Sequence, residues 1–210
     1  MKRVLGVNGI HNWSTSSNSF TDKLLATLAQ DFEVIDIAYP RMWALFAYLQ
    51  TAKERRADVI AATAKHGDIL VAHSFGCLAS IYAMRKMAAE PTPRKFSHVF
   101  FFGAAAEQDV YIPDCFDKLY NIHSKNDVAL KWGDRLPWHD FGLLGHSGYT
   151  GGNRKVVNIN ADGNTHSSYT DYGNICQWKR FIMDPENCPI PSQVKLEPVY
   201  VPTAKIPGHL

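Results

Sequence analysis

The sequence predicts an α/β fold in which a mostly parallel six-stranded sheet carries helices on both faces, as a three-layer sandwich. Two observations lead to this class. Six short apolar runs have strand character, and helical patterns stand between them along the chain. Several of the runs are almost continuously hydrophobic, which fits strands covered on both faces better than the alternating pattern of a half-solvated antiparallel sheet.

The first part of the chain alternates strand and helix. Residues 3–9 and 33–39 are predicted strands, and a helix beginning at Phe20 separates them. Pro40 separates the second strand from a long helical run that begins at Trp43. Alternation of this kind favours right-handed strand-helix-strand crossovers in an open sheet.

The third predicted strand, residues 68–73, ends on a serine that stands between small residues. Ala72 lies two residues before Ser74 and Gly76 two residues after it, which gives the pattern A-x-S-x-G. A strand that turns sharply into a helix strains the backbone of the residue at the turn and leaves no space for bulky neighbours. The pattern therefore predicts a nucleophile elbow, although serine is also common at an ordinary helix start.

Three more strands are predicted after the elbow and its helix, at residues 98–104, 119–124 and 155–161, before a last helix over the run NICQWKRFIM. A serine nucleophile needs a histidine to take its proton and an acid to orient that histidine. Asp127 follows the strand at 119–124 and His166 follows the strand at 155–161. This order predicts a triad of Ser74, Asp127 and His166.

Other residues compete for the roles of acid and base. Asp109 and Asp114 are rival acids, and the rival bases, His139 and His146, lie in the long segment at residues 129–154. His73 is expected to pack or to line the site. The spacing of the histidines in the long segment matches no familiar ligand set, so no metal and no cofactor are predicted.

With these residues in order, the chain resembles a compact α/β-hydrolase, similar to small lipases and esterases, over about residues 3–183. The resemblance implies that Ser74 is the nucleophile, His166 the general base and Asp127 the orienting acid. It also implies an oxyanion hole formed by the backbone N–H groups of Ile10 and Phe75, with His11 as the alternative to Ile10. The implied activity is cleavage of a small-molecule carboxylic ester through an acyl-enzyme.

Alternative functions remain open. A thioesterase, amidase or acyltransferase would use the same residues, and a non-catalytic α/β binding module is the alternative from another class. The long segment at 129–154 is predicted to form a functional loop or a small cap, or to close a small core with its apolar side chains. The candidate substrate-binding residues have aromatic or imidazole side chains. They are His11, Trp13, Trp132, Trp138 and Phe141.

Length and composition predict one domain over residues 1–184, followed by a proline-rich tail over 185–210. Binding of a protein partner is one role open to this tail. The chain has 210 residues, and its net charge of +2 comes from scattered lysines and arginines, so no nucleic acid is expected. No apolar run approaches the roughly 20 residues of a membrane-spanning helix. Four cysteines without metal-type spacing, and no recognisable signal peptide, predict free thiols and a cytoplasmic location.

Overall fold

The structure, a computed structural model, describes residues 1–9, 20–37, 50–133, 141–170, 172–188 and 195–197. Within these ranges the strands form one sheet, and they are β1 (Arg3–Val7), β2 (Glu33–Ile37), β3 (Ile69–His73), β4 (Phe96–Phe102), β5 (Phe116–His123), β6 (Val156–Asn160) and β7 (Lys195–Glu197). The first six strands run parallel in the order β2-β1-β3-β4-β5-β6. The predicted α/β fold with six mostly parallel strands is confirmed.

A seventh strand lies inside the segment predicted as a proline-rich tail. β7 pairs antiparallel with β6, with Lys195 opposite Asn160 and Glu197 opposite Asn158. This strand was not predicted from the sequence, because three residues are too few to show a period and the flanking prolines, Pro191 and Pro198, are typical of non-strand segments. The described part of this segment therefore extends the sheet at its β6 edge.

The helices of the described residues are α1 (Phe20–Leu28), α2 (Gln50–Thr63), α3 (Phe75–Ala88), α4 (Val128–Gly133), α5 (Leu144–Ser147) and α6 (Tyr172–Met183). A short 3-10 turn, Ser168–Thr170, precedes α6. The helix predicted from Trp43 is described from Gln50 onward, and its first residues lie outside the described ranges.

The two faces of the sheet carry separate cores. In β3, Leu70 and Ala72 contribute to the core beneath α2 and α3, whereas Ile69 and Val71 contribute to the core beneath α1 and α6. Successive side chains of a strand point to opposite faces, so a strand covered on both faces must be apolar throughout. This explains why the run ILVA contains no polar residue, and it produces the predicted three layers.

The second half of the segment at residues 129–154 packs into the fold. Leu144 and Tyr149 are buried in the core beneath α2 and α3. The side chain of Asn121 donates to the Leu144 carbonyl at 3.1 Å, and Asn158 bonds both backbone groups of Tyr149 at 2.8 and 2.9 Å. Because these bonds are buried, they fix the segment against β5 and β6. Of the alternatives left open above, core packing is favoured for Leu144 and Tyr149.

The carboxyl ends of four neighbouring strands meet at one edge of the sheet. His73 pairs with Phe102 across β3 and β4, and His123 pairs with Asn160 across β5 and β6. Parallel strands in register send their following loops out on the same side, which is where open α/β sheets bind ligands. The loops that follow β3, β4, β5 and β6 therefore converge above this edge.

Candidate active site

Ser74 occupies the sharp turn between β3 and α3. Its φ of 55° is the one positive value among the non-glycine residues that the structure describes. Both backbone groups of Ser74 are bonded to the end of β4 and the loop after it: the Ser74 N–H donates to the Phe102 carbonyl at 2.9 Å, and the Ser74 carbonyl accepts from the Ala105 N–H at 3.2 Å. A serine in this backbone region is strained by roughly 1–2 kcal/mol. The surrounding strands therefore impose the conformation on Ser74.

Two glycines allow the backbone of the β1 loop to approach this turn closely. A Cβ placed on Gly76 would lie 2.5 Å from the Val7 carbonyl oxygen, and a Cβ on Gly9 would lie 2.8 Å from the Cβ of Ser74. Real Cβ atoms do not tolerate such distances, so larger residues at either position would separate β1 from the turn. The end of β1 thus lies directly beside the Ser74 side chain.

Three loops bring Ser74, His166 and Asp127 into a chain of hydrogen bonds. Nδ1 of His166 is 2.8 Å from Oδ2 of Asp127, and Nε2 of His166 is 2.9 Å from Oγ of Ser74. A carboxylate only accepts, so the Nδ1 atom of His166 carries the proton and its Nε2 accepts from the serine hydroxyl. Asp127 is completely buried, and its other oxygen accepts from the Leu130 N–H at 3.3 Å.

The loop that carries His166 is fixed by side chains from other elements. The Ser124 hydroxyl, beyond the end of β5, donates to the Asn164 carbonyl at 2.6 Å. The Asn174 amide, from α6, donates to Oδ1 of Asn164 and to the Ser168 carbonyl, both at 2.8 Å. Nothing in the sequence pattern singled out Ser124 or Asn174, because a bond from a side chain to a distant carbonyl leaves no period.

Two groups beside the predicted nucleophile, Ser74, and the predicted base, His166, are held in their neutral forms. Burial raises the pKa of the Cys77 thiol well above its usual value, which keeps it protonated three residues after Ser74. Burial, and after it the adjacent His166, lower the pKa of His73 from 6.5 to about 3. His73 is therefore a neutral imidazole at ordinary pH.

The predicted substrate-binding and oxyanion residues are only partly described. Phe75 begins α3, where first-turn N–H groups have no partner within the helix. Its buried ring stacks on Phe141, with ring centroids 6.1 Å apart. Trp132 belongs to α4, the helix that begins directly after Asp127, and the structure describes its backbone but not its side chain. The remaining candidates lie outside the described residues, namely Ile10, His11, Trp13 and Trp138.

The rival acids and bases have other contacts. Asp114 forms an ion pair with Lys155 at 2.6 Å, and Asp109 lines a surface cavity of about 520 Å³ beside Tyr149. His146 bonds the hydroxyl of its neighbour Ser147 at 2.7 Å. The other rival base, His139, is not among the described residues.

No family model and no curated protein matches the sequence. Among solved structures, the chain is similar to a protein from Pectobacterium atrosepticum that is described provisionally as a YdeN-like hydrolase. The TM-score is 0.51 at 13% sequence identity, and the match covers 87% of this chain and 91% of the other. The fold is hydrolase-like. At this identity the similarity carries the α/β architecture and no residue role.

Metal-binding clusters and membrane-spanning helices are both absent from the residues that the structure describes. Across these ranges no group of three or more His, Cys, Asp or Glu side chains is placed to hold a metal ion. None of the helices in the same ranges combines the length and apolar character that crossing a membrane requires.

Proposed function

We propose that the protein is a serine hydrolase that cleaves a carboxylic ester through an acyl-enzyme intermediate. The observation that carries the proposal is the continuous hydrogen-bonded chain from Ser74 through His166 to the buried Asp127, with contacts of 2.9 and 2.8 Å. This is the arrangement that activates a serine hydroxyl, because the base accepts its proton while the acid fixes the tautomer of the base.

The backbone of Ser74 favours this function over an ordinary helix start. A serine that only caps a helix uses its hydroxyl to accept from an N–H of the first turn. Ser74 makes no such side-chain cap bond, and its hydroxyl lies against Nε2 of His166 instead. Its strained φ is of the kind that persists at functional sites when the surrounding structure imposes it.

In the proposed first half-reaction, Oγ of Ser74 attacks the ester carbonyl carbon while its proton passes to Nε2 of His166. The backbone N–H groups of Phe75 and Ile10 donate hydrogen bonds to the carbonyl oxygen as negative charge develops on it, a contribution worth about 10²- to 10³-fold in kcat per donor. The location of Gly9 beside Ser74 supports the choice of Ile10, which follows it in sequence. Collapse of the intermediate expels the alcohol, which takes the proton from His166.

The second half-reaction releases the acid. A water molecule gives a proton to Nε2 of His166 as its oxygen adds to the acyl carbon, and the Ser74 oxygen leaves with that proton. The buried carboxylate of Asp127 stabilises the imidazolium in both halves. His11, Trp13, Trp132, Trp138 and Phe141 remain the proposed substrate-binding residues, in one hydrolase domain over residues 1–184 with the segment at 185–210 as its tail.

Covalent labelling of Ser74 tests the proposal. A fluorophosphonate probe should label the wild-type protein, and Ser74→Ala should abolish the labelling. Ser80→Ala is the matched control, because Ser80 lies buried in the same helix and its hydroxyl donates to the Gly76 carbonyl at 2.7 Å. Labelling that persists in Ser74→Ala would assign the reactive nucleophile to another residue, whereas a wild-type protein that does not react would favour the non-catalytic binding module.

Turnover of p-nitrophenyl esters tests the roles of the partners. His166→Ala should lower kcat by about 10⁶-fold and Asp127→Asn by about 10⁴-fold, since each disrupts the same proton transfer. A parallel series of thioesters separates esterase from thioesterase activity, which use the same residues. Near-normal turnover in His166→Ala would assign the base to another histidine.

A further inference from the structure

His73, the residue directly before Ser74, is hydrogen-bonded to the main chain of the proposed base, His166. It is the last residue of β3, and its Nε2 lies 3.0 Å from the backbone oxygen of His166. A carbonyl oxygen only accepts, so this Nε2 carries a proton and donates it. The two imidazole rings lie against each other at a centroid distance of 4.8 Å, and the edge of Tyr169 approaches His73 at 6.5 Å.

The bond closes a short mechanical path between the two reacting groups. Ser74 is covalently joined to His73, His73 bonds the carbonyl of His166, and the His166 side chain returns to Oγ of Ser74 at 2.9 Å. The bonds from Ser124 and Asn174 hold the same loop at Asn164 and Ser168, two residues to either side. Of the contacts from His73, Ser124 and Asn174, the one from His73 holds His166 itself, which bears the proposed base.

We propose that His73 is a positioning residue, which holds the His166 main chain through its Nε2–H and thereby sets the distance between Nε2 of His166 and Oγ of Ser74. This inference rests on the proposed function of Ser74 and His166. His73 does not act as a base itself, because its Nε2 donates to a carbonyl and the hydroxyl of Ser74 is bonded to His166.

The neutral state of His73 suits this role. Each half-reaction produces an imidazolium on His166, and a second cation with its ring centroid 4.8 Å away would oppose that charge. Burial and the neighbouring His166 hold the pKa of His73 at about 3, so the ring supplies a hydrogen bond without supplying a charge. A lysine or arginine in its place would donate to the same carbonyl but would disfavour the transition state.

Two amide variants separate the donor from the volume of the side chain. Glutamine places its N–H near the position of histidine Nε2, whereas the amide of asparagine stops one carbon short. His73→Asn and His73→Leu should lower kcat by about 10- to 100-fold with KM changed less than about threefold, because a base displaced by up to 1 Å loses that much rate. His73→Gln should stay within about fivefold of wild type.

His98→Leu is the control for removing a partly buried histidine from the sheet. His98 lies near the opposite end of β4, where its ring stacks on Phe100 and Tyr120. This variant should change the melting temperature and leave kcat unchanged. All variants are compared at a temperature at which melting curves show them folded, so that a loss of kcat in His73→Asn reports on position and not on unfolding.

A double variant asks whether His73 acts through His166. The backbone carbonyl remains in His166→Ala, but the imidazole that it positions is gone, so adding His73→Asn should not lower the residual turnover further. A further loss as large as in the wild-type background would overturn the inference, as would wild-type kcat in both His73→Asn and His73→Leu. Absence of Ser74-dependent labelling in the wild-type protein would instead overturn the proposed function.

Discussion

His73 should make the stability of the protein depend on pH. Burial, and after it the nearby His166, lower its pKa in the folded chain from 6.5 to about 3, whereas the unfolded chain restores the ordinary value. Above pH 6.5 both states hold the ring neutral, and His73 contributes no pH dependence. As the pH falls below 6.5, the unfolded chain binds a proton that the folded chain does not, so the unfolding free energy decreases until the pH approaches 3.

The size of this loss follows from the two pKa values. At pH 5 the unfolded chain gains a factor of about 30 in its statistical weight from protonation of His73, which corresponds to about 2 kcal/mol at 25 °C. At pH 6 the same calculation gives about 1 kcal/mol. A loss of 2 kcal/mol is a large part of the 5–15 kcal/mol typical of a folded domain.

Urea unfolding measures this loss. Wild type and His73→Gln are unfolded at pH 8, 6 and 5 while tryptophan fluorescence is recorded, because glutamine keeps a donor and does not titrate. Between pH 8 and 5 the wild-type protein should lose about 2 kcal/mol more than the variant. His66→Gln, which replaces an exposed histidine, should follow the wild type. Equal losses in wild type and His73→Gln would refute the assignment of a neutral, buried His73.

Three further predictions concern the surroundings of the site. Gly103→Ala should lower kcat about tenfold or more, because the new Cβ would lie 3.0 Å from Oδ2 of Asp127. Gly67→Ala is the control, since Gly67 also has a positive φ but its new Cβ would meet no atom within 4 Å, so this variant should lose only about 1 kcal/mol of stability. Equal kcat in the two variants would contradict the contact between residue 103 and Asp127. Asn158→Leu should lower the unfolding free energy, measured by urea unfolding, by about 2–4 kcal/mol, because it removes the hydrogen-bond partner of both buried backbone groups of Tyr149. A change below about 0.5 kcal/mol would contradict these two hydrogen bonds. Cys77 and Cys115 should resist iodoacetamide in the native protein and react once it is unfolded, because both are buried and burial raises the pKa of both thiols. Mass spectrometry measures the modification, and rapid modification of Cys77 in the native protein would contradict its burial.

The sheet was predictable because several of its strands, such as β3, are apolar on both faces. A run such as ILVA in β3 leaves no polar face for water, and this property is local enough to be seen in the sequence. β7 shows the limit of the same reasoning. Three residues pair with β6 because that edge is available in space, and their own sequence, Lys195 to Glu197, is too short to show a strand period.

The order of Ser74, Asp127 and His166 was also visible in the sequence, because each follows a predicted strand of a parallel sheet. The contacts that fix the loop of His166 were not. The bonds from His73, Ser124 and Asn174 join residues that are far apart or irregularly spaced, and their acceptors include main-chain carbonyls, which every residue has. Serine and asparagine are common in loops, and His73 was expected only to pack or to line the site, so residue type alone predicted none of these bonds.

The close approaches around Ser74 constrain the site more tightly than the hydrogen bonds do. A Cβ on Gly9 would meet the Cβ of Ser74, and a Cβ on Gly76 would meet the carbonyl of Val7. A hydrogen bond tolerates a shift of a few tenths of an ångström, whereas a new methyl group does not fit 2.8 Å from the Cβ of Ser74, which moves only with its backbone, or 2.5 Å from the Val7 carbonyl oxygen. Alanine at Gly9 should therefore move the serine or the β1 loop, and with it the N–H that follows Gly9. If the proposed oxyanion hole includes that N–H, Gly9→Ala must lower kcat even where the protein stays folded.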